Sequence, residues 1–207
     1  MNIKSAPLGS MGANFYLVCD EDTKDIFVVD PGDESDIAIE MIKEASGNLK
    51  YIILTHAHVD HIGALDDIKN EFDAKIVICN AEEKALNNGD INLCSAFGEA
   101  SPISKADILV SDGDALPFGK SEIKFLHTPG HTKGSMCILA EGSLFSGDTI
   151  FRLSVGRCDF PGGSFDELQN SIKSKIYTLP DDTVIYPGHN SPTTVGYEKE
   201  NNPFVRK

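Results

Sequence analysis

The run Thr55-His56-Ala57-His58-Val59-Asp60-His61 packs three imidazoles and a carboxylate into six consecutive positions. Half of the chain's six histidines lie here. Histidine and carboxylate together suit zinc or iron, so the fold must bring this run to a place where a metal can be held. A helical site would set its two histidines four residues apart on one face. His56 and His58 are two apart, so a strand end points both to one side. Asp60 and His61 follow where the chain should turn, and aim at a neighbouring position. Two adjacent metals, rather than one, are the expectation.

At 207 residues the chain fits one domain with a sizeable core, or at most two small ones. Its 41% hydrophobic and 24% charged residues are ordinary for a soluble globular protein. A formal charge of −14 argues against nucleic acid as the partner, because phosphate contact relies on clustered lysine and arginine. The start, MNIKSAPLGSMGANF, lacks an apolar signal region, and no 18-residue apolar run occurs. A cytoplasmic protein with no membrane partner is therefore expected. The five cysteines (Cys19, Cys79, Cys94, Cys137 and Cys158) are odd in number, widely spaced and without a CxxC pair, which predicts reduced thiols.

Short apolar runs alternate with helical patterns. Residues 15–19 and 26–30 read as strands joined by a polar turn at Glu21-Asp22-Thr23-Lys24, and Pro31-Gly32 stops the second. Ile37, Met41, Ile42 and Ala45 recur at helical spacing. The continuous apolar run 51–54 predicts a strand buried on both faces that delivers the histidine cluster. A helix over 64–72, a strand at 75–79 and a short helix at 82–86 follow, and 88–106 reads as irregular. Strands are expected at 108–110, 122–126, 136–139, 143–145 and 183–186, with a helix carrying Phe165, Leu168, Ile172 and Ile176. Helices between strands in both halves imply a layered α/β architecture.

Three histidines lie outside the cluster. His131, in Thr128-Pro129-Gly130-His131-Thr132, and His189, in Tyr186-Pro187-Gly188-His189-Asn190, each come just past a strand. Pro-Gly forces a tight turn and lets the backbone approach a crowded centre. Ser146-Gly147-Asp148-Thr149 ends a third strand with a carboxylate. His127 alternates with Ile123 and Phe125 on one strand face, which predicts a buried supporting or core histidine.

The chain resembles the metallo-β-lactamase-fold hydrolases. The matching pieces are Asp30-Pro31-Gly32, the THAHVDH run, TPGHT, SGDT and the final PGH, in order from residue 15 to 190. The resemblance implies an αββα sandwich with a binuclear site between the sheet edges. It implies that His56, His58 and His131 hold one metal, that Asp60, His61 and His189 hold the other, and that Asp148 bridges them. Two divalent ions are expected, zinc first, with iron or manganese as alternatives. Two dications sharing a water lower its pKa to near 7 and supply hydroxide, with Asp60 orienting it as the catalytic carboxylate. No GxSxG elbow is present, and none is required.

Residues 156–164, Gly-Arg-Cys-Asp-Phe-Pro-Gly-Gly-Ser, look like the GRxDxPGGS stretch of small bacterial glyoxalase II-like hydrolases, and the tail from Thr193 to Phe204 is similar to the same subgroup. That implies hydrolysis of a small-molecule thioester of the S-lactoylglutathione type. Full-length glyoxalase II carries a further C-terminal helical glutathione-binding domain, so residues 1–207 are expected to form a single domain without it. Cys158 stands where the subgroup usually has Thr or Ser. The chain has three arginines, and Arg152 and Arg157 both follow Asp148 closely; either suits a bidentate grip on a substrate carboxylate. For Arg157 the alternative is a pair with Asp159 that braces the loop. The rival activities are a persulfide dioxygenase-like iron oxygenase, and a lactonase or other metallohydrolase. Pro161-Gly162-Gly163 favours the hydrolase over the oxygenase. A flavodiiron-type enzyme would carry glutamate at position 58.

Overall fold

The computed structural model describes residues 1–206. One six-stranded sheet contains, in chain order, β1 (Asn2–Leu8), β2 (Ala13–Cys19), β3 (Asp25–Val29), β4 (Asn48–Ile53), β5 (Lys75–Cys79) and β6 (Ile108–Val110). The first three strands pair antiparallel and the last four parallel. Parallel neighbours need crossovers. Two of these run through α1 (Ser35–Ala45) and, after the one-turn α2 (Val59–Ile62), through α3 (Leu65–Phe72). The third passes α4 (Glu83–Leu86) and α5 (Cys94–Phe97).

The second sheet is built from β7 (Ala115–Phe118), β8 (Ser121–His127), β9 (Met136–Ala140), β10 (Ser143–Gly147), β13 (Val184–Pro187) and β14 (Thr193–Thr194). Its order is β14-β13-β10-β9-β8-β7. A small hairpin, β11 (Ile150–Phe151) with β12 (Ser154–Val155), follows β10. The connection from β12 to β13 carries α6 (Phe165–Ser171), which runs on as a π-helical turn over Ile172–Ile176, and α7 (Val195–Asn201) follows β14.

The apolar runs of the first sheet are unbroken because their side chains serve two cores. Phe15, Leu17, Ile26, Val28, Ile52 and Ile76 point to a layer shared with α1 and α3. Their alternates Tyr16, Val18, Phe27, Val29, Ile53 and Val77 point to the second sheet, against Phe118, Phe125, Ile138 and Phe145. A third layer joins Cys137, Leu144 and Ile185 to Leu168, Ile172 and Ile176 of the late helix. The result is an αββα sandwich, as expected.

Several elements differ from the sequence reading. The buried face of α1 is Ala38 and Ile42, whereas Ile37 is 44% exposed. Strands β1, β7 and β14, the β11–β12 hairpin and α7 carry too little apolar periodicity to be seen in the sequence. Helix α7 is instead set by its cap, where the Thr194 hydroxyl accepts a hydrogen bond from the Tyr197 amide at 3.3 Å. The five cysteines are free thiols, as expected. No helix among the described residues is long and apolar enough to cross a membrane.

The inter-sheet layer generates one prediction. Phe27 is fully buried, with its ring edge-on to Phe118 at 4.8 Å and to Phe145 at 5.9 Å. Phe27→Ala should cost about 3–5 kcal/mol of unfolding free energy in urea. A loss under about 1 kcal/mol would contradict this packing.

Candidate metal centre

Strand β4 stops at Ile53, three residues before His56. His56 and His58 lie in the extended loop beyond it, and Asp60 and His61 on α2. The expectation that the two histidines ride on a strand end is thus corrected. The loop is held taut by isolated side-chain and backbone anchors instead of a ladder. The Thr55 amide and hydroxyl both donate to the Asp30 carboxylate, at 2.8 and 2.6 Å. The Val59 amide donates to the Asn92 carbonyl at 2.9 Å.

These anchors also set the ring tautomers. Thr55 spends its hydroxyl proton on Asp30, so its oxygen accepts from His56 Nδ1 at 3.1 Å, leaving His56 Nε2 with a lone pair. His131 Nδ1 donates to the Arg157 carbonyl at 2.7 Å, leaving Nε2 likewise bare. That Nε2 faces His56 Nε2 at 3.2 Å and His58 Nδ1 at 2.9 Å. Burial keeps these rings neutral, which is the ligand form. It pushes His56 well below the usual histidine range, His58 down to about 3 with help from neighbouring His131, and His131 downward too.

Beside this trio lies a second group. His61 Nδ1 donates to Asp30 at 2.9 Å, so Nε2 is the nitrogen that loses its proton when a metal takes the place of positive charge. That atom is 3.7 Å from Asp60 Oδ2 and 3.5 Å from Asp148 Oδ1. His189 Nε2 is 3.2 Å from Asp60 Oδ2. The other oxygen of Asp148, Oδ2, lies 3.7 Å from both His131 Nε2 and His189 Nε2. Asp148 therefore faces both groups.

The residues fit metal ions by two tests. His61 Nε2 and Asp148 Oδ1 are buried without a hydrogen-bond partner, an arrangement that costs about 1–3 kcal/mol per group unless something else satisfies them. The field also calls for positive charge. Burial resists charging His61, yet Asp60, Asp30 and Asp148 outweigh it and raise its pKa to about 10. Imidazole nitrogens with carboxylate oxygens suit zinc, iron or manganese. Grouped within ligand distance of one another are His56, His58 and His131, and Asp60, His61 and His189; a third set, Asp30, His56 and His61, is already knit together through Thr55 and the Asp30–His61 hydrogen bond.

The final loop comes in close for a steric reason. A Cβ on Gly188 would overlap Asp148 Oδ1 and crowd His61 Cε1 at 2.9 Å. This loop belongs to the second sheet but is tied to the first. Asn14 donates to the Pro187 carbonyl at 3.0 Å and to that of Asn190 at 2.9 Å, and the Tyr16 hydroxyl donates to Pro187 at 2.6 Å. Sequence reasoning missed Asn14 and Tyr16, which bear no motif. It found Asp30 only as part of a motif, without its role.

The groups open into a cleft of about 560 Å³. Met11, Leu93 and Phe97 line it beside Phe151, Val155 and Phe160, so its walls are largely apolar. Arg157 stands at its edge in a bidentate pair with Asp159, both bonds 2.7 Å, and lies 4.0 Å over the Phe160 ring. The loop-bracing contact is thus made. Arg152 does not line the cleft and sits over the Tyr197 ring, 5.6 Å from its centre. His127 is half-buried rather than buried. Its Nε2 meets the Lys133 carbonyl at 2.9 Å, because the ring lies at the end of β8, where the core gives way to the 128–133 loop. Cys158 is half-buried against the third core layer, outside the cleft lining.

The family model described as the metallo-beta-lactamase superfamily matches residues 8–189. Hydroxyacylglutathione hydrolase GloC of Haemophilus influenzae is 35% identical over 99% of this chain and 98% of its own length. Among solved structures, the BLEG-1 B3 metallo-beta-lactamase is 34% identical with a TM-score of 0.94, over all of both chains. TTHA1623, solved in a di-iron-bound form, is 32% identical with a TM-score of 0.86, over 98% of this chain and 100% of its own. ETHE1 from Myxococcus xanthus is 28% identical with a TM-score of 0.83, over 98% of this chain and 84% of its own.

Asp30 receives donors from both parts of the histidine loop. Asp30→Asn should weaken metal binding about 10- to 100-fold, measured by competition with a chromophoric chelator. An unchanged affinity would show that Asp30 does not orient the rings.

Proposed function

This chain belongs to the metallo-beta-lactamase superfamily, and from that premise we propose that it is a binuclear thioester hydrolase acting on S-lactoylglutathione-type substrates. The observation that carries the reading is Asp148, whose two oxygens face two separate ligand groups within one cleft. His56, His58 and His131 would hold one divalent metal; Asp60, His61 and His189 would hold the other, with Asp148 shared. Zinc is the expected metal, and the di-iron form of TTHA1623 makes iron the alternative.

Bound metals would supply hydroxide at neutral pH and polarise the substrate carbonyl. The chain's own residues do the rest. The Asp60 carboxylate is held below the usual carboxylate range: burial opposes this, but His61 and the hydrogen bond from His189 outweigh it. It stays ionised, and its oxygens accept a hydrogen bond from the attacking water and orient it. Phe160 packs edge-on to His58 at 5.5 Å, and Phe151 to His189 at 6.1 Å, so an apolar ring borders each ligand group. Across the reaction, water adds to the acyl carbon, the carbon–sulfur bond breaks, and a carboxylic acid and a thiol leave.

The thioester reading draws support from the likeness to GloC over nearly the whole chain, and from the 156–164 segment, of which Arg157 and Phe160 line the cleft. A cytoplasmic site of action is part of the same proposal. The second reading is a persulfide oxygenase using iron, favoured by the likeness to ETHE1.

Metal-replete protein should release thiol from S-lactoylglutathione, and chelator-stripped protein should not. Absence of release from the fully metallated protein would overturn the thioesterase and bring persulfide oxidation and lactone hydrolysis forward. Arg157→Ala should raise KM for an acidic thioester more than for a neutral one. Equal effects on the two would assign Arg157 to loop bracing alone.

A further inference from the structure

Glu82 is a carboxylate with no place in the hydrolytic scheme, yet it is only 4% exposed. It immediately precedes α4, far in sequence from every ligand candidate. Burying a carboxylate is costly unless donors satisfy it. Its donors all come from the loops that carry the three-histidine group. Oε1 accepts the amide of Ala57, the residue between His56 and His58, at 3.2 Å. Oε2 accepts the amide of Gly134 at 3.0 Å, three residues past His131. The hydroxyl of Thr132, next to His131, also hydrogen-bonds it. A Cβ on Gly134 would meet Glu82 Oε2 at 2.5 Å, so that loop is bare of side chain where it closes on the carboxylate. The backbone ties the two loops at one further point, where the Met136 amide donates to the Thr55 carbonyl at 2.9 Å.

We propose that Glu82 is a positioning residue for the three-histidine group: one buried carboxylate spans the loop of His56 and His58 and the loop of His131, and sets the spacing of their ring nitrogens. Its two oxygens act as a rigid spacer between loops that come from different sheets. The proposal rests on metal binding by that group and not on the identity of the substrate, so failure of thioester hydrolysis would leave it standing. In Glu82→Gln one oxygen becomes an amide nitrogen, which confronts an N–H with an N–H and releases one loop.

The test is titration of the full-length chain with cobalt(II), read by its ligand-field absorption and by competition with a chelator. Glu82→Gln should lose one of the two equivalents selectively, its affinity falling about 10- to 100-fold with an altered spectrum. Asp66→Asn is the control. The Asp66 carboxylate likewise accepts two loop amides, from Ile103 at 2.8 Å and Ser104 at 3.0 Å, but touches no ligand loop. It should keep both equivalents. A folded Glu82→Gln protein with wild-type spectrum and affinity overturns the proposal. If that variant does not fold, Glu82→Asp keeps the charge and shortens the reach, and the same selective loss is expected. Two wild-type equivalents in Glu82→Asp, or its failure to fold even with cobalt present, assign Glu82 to the fold instead and also overturn the proposal.

Discussion

Three hydrogen bonds converge on the buried carboxylate of Asp30, from the Thr55 amide, the Thr55 hydroxyl and His61 Nδ1. Much of the centre depends on them. Asp30 lies at the end of β3, beside the end of β4, with a left-handed backbone (φ 50°) that turns its chain out of the sheet. By taking the hydroxyl proton of Thr55 it makes that oxygen an acceptor, and so decides which nitrogen of His56 stays bare. By accepting from His61 it decides the same for the second group. Metal-ligating histidines generally owe their orientation to such partners. Here one carboxylate orients a ring in each group.

The site exists because loops from two face-packed sheets converge. The first sheet contributes the loop of His56, His58, Asp60 and His61. The second contributes His131, Asp148 and His189 from loops past β8, β10 and β13. Polar tethers at the seam hold these parts in register. Asn14 and Tyr16 of β2 reach the Pro187-to-Asn190 loop. Glycine at 188 leaves the room that Asp148 and His61 fill. The aromatic layer around Phe27 and Phe145 keeps the sheets at the spacing these tethers need.

What was legible in the sequence had a local cause. The buried strands showed themselves because both of their faces are apolar, and His131 and His189 because Pro-Gly precedes each. Weakly patterned elements stayed hidden: β1 is largely exposed on both faces, and α7 rests on a cap and on the buried Glu198. Ile37 misled because it falls beside the buried face of α1 rather than on it. The arginines were placed by proximity to Asp148 in the chain. In space Arg157 reaches the cleft edge already paired with Asp159, and Arg152 turns toward α7.

The sequence by itself determined that imidazoles and carboxylates would crowd together, and that layers of strand and helix would carry them. Both follow from residue type and short-range spacing. Only the tertiary structure decided that His56 and His58 sit on a tethered loop, which nitrogen of each ring is bare, and that Asp148 faces both groups. Those outcomes depend on partners 25 to 176 residues away in the chain, such as Asp30 to Thr55 and Asn14 to Asn190. No local pattern encodes them, because each partner is selected by the packing of one sheet against the other.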